Sequence, residues 1–135
     1  DPAFMHFEGK CPVLAADTIV VLDGKVIGKP GDRKEAIEIL HTLSGKTHRV
    51  ITGVVLKHDG REWSFSETTE VSFYPLTSGQ ITFYVDEYGP YDKAGAYAIQ
   101  EWIGVTGIEK INGDFYNVMG LPISKVVRLL NELQL

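Results

Sequence analysis

One cysteine, Cys11, stands among 135 residues, which excludes an internal disulfide and a thiolate metal cluster. Beside Pro12 it reads as a small, half-buried residue with no chemistry of its own. No apolar run approaches the roughly 18 residues that span a bilayer, and the opening residues lack the basic and apolar regions of a signal peptide. The expectation is a cytoplasmic protein with no membrane partner. Basic clusters are missing too: 13 Lys and Arg against 18 Asp and Glu leave a formal charge of −5. Nucleic acid is therefore not the expected partner, because duplex binding rests on clustered Lys/Arg neutralising phosphates. Any anionic ligand has to be met locally. The four histidines, His6, His41, His48 and His58, lack metal-ligand spacing and read as structural or solvated. GxxxxGK[ST], GxGxxG and GxSxG are all absent, as are repeats, low-complexity tracts and long linkers.

What is present suits one globular domain: 44% of the residues are hydrophobic and 23% charged, enough for a core of its own. Residues 1–12 show no period and read as an irregular N-terminal segment or a cloning remnant, so the folded domain is expected over 13–135. Val13 to Leu22 is apolar and β-branched nearly throughout, which predicts a central strand covered on both faces. Asp23-Gly24 predicts a tight turn, with "KVIGKP" returning as a short second arm. Asp32, three residues before Glu35, predicts a helix start; Ala36, Ile37, Leu40 and Leu43 form its apolar stripe, which stops at Gly45. "THRVITGVVLKH" reads as a further central strand, and Asp59-Gly60 turns it into the alternating "ETTEVSFY" as an antiparallel pair. Thr77 or Ser78 caps a helix through "GQITFYVDEY", while Ile123, Val126, Val127 and Leu130 give the last helix its apolar stripe. The predicted class is α/β, a mixed twisted sheet with flanking helices.

Three spots place polar residues where an apolar pattern does not ask for them: Asp17-Thr18 with Lys29, "YDKAGAYAIQ", and "GDFYNVMGLP". An ionised carboxylate in front of a run as apolar as Ile19 to Leu22 is costly unless something pairs with it, coordinates it or uses it. Asp17 is accordingly expected at the end of its strand, its carboxylate facing a cleft. Lys93 precedes the small residues Ala94, Gly95 and Ala96, which permit close approach of a ligand. A lysine ammonium binds phosphate oxygens, and a carboxylate holds Mg²⁺ or orients an attacking water. Each residue alone also has an ordinary reading: Asp17 as a hydrogen-bonded buried acid, Lys29 and Lys93 as surface lysines, Gln100 as a loop cap, Asn112-Gly113 as a turn.

Taken together, "ADTIVVLDGKVIGKP", "LSGKTHRVITGV", "DKAGAYAIQ" and "GDFYNVMGLP", in that order, resemble the Maf family of nucleoside triphosphate pyrophosphatases from about Val13 to Leu133. The resemblance implies an inosine-triphosphatase-like cleft and hydrolysis of a nucleoside triphosphate between the α and β phosphates with Mg²⁺ or Mn²⁺. It implies Asp17 as the catalytic residue that activates water or holds metal, with Thr18, Lys29, Lys93 and Gln100 binding substrate. Thr18, Asp92-Lys93 and Gln100 match the branch that prefers dTTP and UTP. The resemblance further implies a homodimer. Family members begin with a strand, a turn carrying a Ser-x-x-Arg-Arg-like motif, a helix and an acidic metal-binding residue, none of which this sequence contains. The chain is thus expected to be N-terminally truncated, with reduced turnover of its own. The alternative reading is a nucleotide-binding or septum-related regulatory module without turnover.

Overall fold

The computed structural model describes residues 11–135. The predicted irregular segment, with His6 and Glu8, falls outside the described residues up to position 10. Five strands form one sheet in the order β2-β1-β3-β4-β5: β1 Val13–Leu22, β2 Lys25–Ile27, β3 Thr47–His58, β4 Arg61–Phe73 and β5 Ile108–Asn112. Asp23 and Gly24 (φ 51° and 77°) close the β1–β2 hairpin, and Asp59 and Gly60 (φ 51° and 75°) close β3–β4. Two successive positive φ values match the right-handed twist of the strands they join. The α/β class stands as expected, whereas every pairing among the described residues is antiparallel rather than mixed. The reason is topological: two tight hairpins and returns through helices bring each neighbour back in the opposite direction.

Helix α1, Arg33–Leu43, starts where Asp32 accepts a hydrogen bond from the Glu35 N–H at 2.8 Å. Helix α2, Ser78–Tyr88, carries a reciprocal capping box between Thr77 and Gln80 and ends at Gly89 in the left-handed region. Both lie on one face of the sheet, where Leu22, Leu40, Leu43, Phe73, Ile81 and Tyr84 make the core. Three shorter elements follow: α3 Trp102–Gly107, α4 Phe115–Met119 and α5 Ile123–Glu132. No helix among the described residues is long and apolar enough to cross a membrane.

Alternation along the strands defines the two faces. Val50, Thr52 and Val54 of β3 are buried under the helices, while Gly53 between them is exposed. β1 is covered on both faces only from Val20 to Leu22, where three successive residues are buried; before that, Asp17 is exposed and Ile19 is 37% exposed. The expected stripe of α5 is likewise only partly buried, with Val126 inside and Ile123 and Val127 open to solvent. β5 and α4 have no counterpart in the sequence reading. Asn112-Gly113 does lead out of β5, where Gly113 (φ 136°) lies so close to Thr69 that an added Cβ would sit 2.7 Å from its Oγ1.

Candidate active site

Asp17 lies in the middle of β1, opposite Gly53 of β3, and not at the strand's end as the sequence reading had it. The short second arm explains how a carboxylate is tolerated there. β2 pairs with Val20 to Leu22 only, so from Val13 to Ile19 the outer edge of β1 has no partner among the described strands. Glycine across the ladder adds no side chain beside the carboxylate, and an added Cβ at Gly53 would meet nothing within 4 Å. Asp17 makes no ion pair or side-chain hydrogen bond with another described residue.

A cavity of about 260 Å³ opens beside this edge, and Asp17, Thr18, Lys29, Lys93 and Gln100 all line it. The five nominated residues come from three separate segments. Lys29 follows β2, and the backbone N–H of Gly95 donates to Gly28 O at 3.2 Å, which ties the Lys93 segment to the Lys29 segment. That contact needs glycine: Gly95 has φ 75°, and a Cβ there would sit 3.1 Å from Val20. Ala96 follows with φ 61°, so two consecutive left-handed residues turn the chain sharply after Lys93.

Thr18 is held within the protein. Its hydroxyl lies 2.8 Å from that of Thr52, its cross-strand partner, and donates to Gly120 O at 3.3 Å. It thereby joins β1, β3 and the C-terminal end of α4, where Val118, Met119 and Gly120 line the cavity. The Lys93 ammonium stands 3.3 Å from the Asp92 carboxylate in a partly exposed pair; such pairs are worth little and yield readily to a stronger anion.

Sequence reasoning missed Asn117. Fully buried, its amide nitrogen lies 3.2 Å from Val50 O, 3.1 Å from Glu67 O and 3.0 Å from Thr69 Oγ1. Asp114 N also donates to Thr69 Oγ1 at 3.1 Å. These bonds fix α4 to the sheet and so set the wall carrying Val118 to Gly120. The one available signal was an asparagine inside an otherwise apolar "YNVMG".

Tyr97 and His48 were missed as a pair. The Tyr97 hydroxyl lies 2.6 Å from His48 Nε2, and both rings pack edge-on at 5.4 Å beneath the cavity. Burial pushes the His48 pKa down to about 4 and the Tyr97 pKa up. His48 is thus a neutral structural histidine. Its folded pKa lies below the unfolded value near 6.5, so its contribution to stability is complete above pH 6.5 and is lost as pH falls toward 4. Denaturant unfolding should show a loss of about 3 kcal/mol from this group across that window. A His48→Gln variant whose pH dependence is as steep as the parent's would contradict the assignment.

The lining also bears on a metal. Among the described residues no group of three or more His, Cys, Asp or Glu gathers to hold an ion; Asp17 and Asp92 are the carboxylates on this cavity. Two carboxylates fit Mg²⁺, which keeps several waters and is commonly bound by one or two carboxylates plus substrate phosphates. They also offset the charges of Lys29 and Lys93, so a polyphosphate entering here needs further positive charge.

The family model for Maf-like proteins matches residues 3–133. The chain is 52% identical over 121 residues to a dTTP/UTP pyrophosphatase of Bacteroides thetaiotaomicron, covering 90% of this chain and 63% of that one. It is 49% identical over 122 residues to a dTTP/UTP pyrophosphatase of Porphyromonas gingivalis (90% and 60%) and 50% identical over 121 residues to one of Bacillus pumilus (90% and 64%). The chain thus spans about three fifths of the length of these relatives.

Proposed function

The chain belongs to the Maf family, and from that premise we propose that it binds nucleoside triphosphates, dTTP and UTP foremost, and hydrolyses them to the monophosphate and pyrophosphate. The observation that carries this reading is the meeting of Asp17, Lys29, Lys93 and Gln100 on one cavity from three separate segments. The relatives named dTTP/UTP pyrophosphatase supply the substrate class.

In this reading Asp17 accepts the proton of a water and directs its oxygen at the α phosphorus, a role suited to an exposed carboxylate that no other described side chain engages. The new P–O bond forms as the bond to the β-phosphate oxygen breaks, and pyrophosphate leaves. Charge grows on the non-bridging oxygens and on the departing group, and the ammonium groups of Lys29 and Lys93 stabilise it. A divalent ion, magnesium or manganese, held by Asp17 with Asp92 nearby, would add positive charge to that stabilisation. Thr18 acts by position, keeping β1 and the Gly120 segment at a fixed separation. The reading includes a cytoplasmic protein and a homodimer, the latter supported by the outer edge of β1 left unpaired among the described strands.

The test is the rate of pyrophosphate release from UTP, dTTP, ATP and GTP with Mg²⁺. We expect UTP and dTTP to exceed the purine nucleotides by at least tenfold; a preference for purines would reverse the branch assignment.

A further inference from the structure

Gln100 is exposed, and its amide bonds no other described residue, so nothing about the side chain itself fixes where it stands on the cavity. The backbone does. The Glu101 N–H donates to Ala98 O at 3.1 Å, which closes a tight turn with Ile99 and Gln100 at its centre. Ile99 is buried, and Ala98 and Gln100 line the cavity. Gly104 of α3 lies against this turn: its N–H donates to Glu101 O at 2.9 Å, and an added Cβ would sit 1.8 Å from Ile99 O. A side chain at 104 would push the turn out of place.

The remaining hold comes from α2. The Tyr84 hydroxyl accepts from the Ala98 N–H at 3.0 Å and donates to Glu101 Oε1 at 2.5 Å, so one oxygen ties the first residue of the turn to its last. Tyr84 is fully buried, its ring stacked on those of Tyr88 at 5.0 Å and Trp102 at 6.4 Å. Burial and the bond to Glu101 push its pKa up, so the phenol keeps the proton it donates. Phenylalanine would fill the same space, and a buried hydroxyl is costly unless it is used. Neither Tyr84 nor Glu101 lines the cavity. We propose that Tyr84 and Glu101 are positioning residues of the triphosphate site: neither touches substrate, and together they staple the turn that presents Gln100 to it. This rests on the triphosphate reading above.

Calorimetric titration of UTP with Mg²⁺ across a double-mutant cycle tests the staple. Gln100→Ala should weaken UTP about tenfold, as for one lost hydrogen bond. Tyr84→Phe keeps the ring, leaves the Ala98 N–H without its acceptor, and should weaken UTP by about fivefold to tenfold. In the Gln100→Ala background the same change should cost less than about twofold, because the turn no longer carries a contact to misplace. Glu101→Gln keeps an acceptor for the Tyr84 hydroxyl and should bind within about twofold of wild type. Glu101→Leu removes that acceptor and should repeat the Tyr84→Phe pattern; it takes the place of Tyr84→Phe in the cycle where the tyrosine variant does not fold. Losses that multiply in the double variant, an unchanged Gln100→Ala, or wild-type affinity in both Tyr84→Phe and Glu101→Leu would overturn the positioning role and leave the triphosphate reading standing. A wild-type chain that does not bind UTP would overturn the triphosphate reading, and the Gln100 contact with it.

Discussion

Asp17→Asn should lower pyrophosphate release from UTP roughly 10²- to 10⁴-fold, the range supplied by a positioned general base, with the unfolding midpoint unchanged. The two halves of this expectation have one origin. Asp17 is exposed in the middle of β1, opposite a glycine, and no described side chain leans on its charge. Asparagine keeps the volume and loses the basic oxygen, so the fold has nothing to lose and the reaction has no proton acceptor. An exposed carboxylate with no partner contributes little to stability; a large drop in unfolding temperature would mean that Asp17 is structural. Unchanged turnover with an intact fold would exclude it from the chemistry.

Lys29→Ala and Lys93→Ala should each weaken UTP binding by about tenfold to a hundredfold, since hydrogen bonds to charged groups are worth roughly 1.5–3 kcal/mol. UMP should lose no more than about threefold, because it presents fewer phosphate oxygens to the same ammonium groups. Two structural facts motivate the contrast: the lysines reach one cavity from different segments, and those segments are joined through Gly95 N–H and Gly28 O. Equal losses for UTP and UMP would indicate a distorted cavity rather than a lost phosphate contact. Gly95→Val supplies that distortion for comparison, because its Cβ would press on Val20 in a backbone conformation that valine resists.

Much of this arrangement was legible before any coordinates. β1 and β3 run between the residues read from periodicity, since a β-branched run closed by Asp-Gly leaves little freedom in where a strand begins and turns. Asp32 and Thr77 cap their helices as read, because capping is a local bond between residues three apart. Where a distant partner decides, the sequence was silent. β5 is five residues with Glu109 and Lys110 in its middle, and it becomes a strand because Ile108 and Ile111 register against Phe73 and Val71 across a bulge. Asn117 is buried because Val50 O and Glu67 O, far away in the chain, accept its amide protons.

The site divides along the same line. Its polar residues stood out because each interrupts an apolar pattern, and the family resemblance joined them. Ile108 and Ile111 did not stand out, because they look like any core residues until their neighbours leave them half-covered. The position of Asp17 was misjudged for a related reason. A charged residue ahead of an apolar run suggests a strand end, but here a three-residue β2 leaves the middle of β1 open.

The most direct test of the central claim is to follow UTP by ³¹P NMR during incubation with this chain and Mg²⁺. The account predicts that the three triphosphate resonances give way to those of UMP and pyrophosphate, with no UDP at any time. Appearance of UDP and orthophosphate, or a spectrum that never changes, would contradict it.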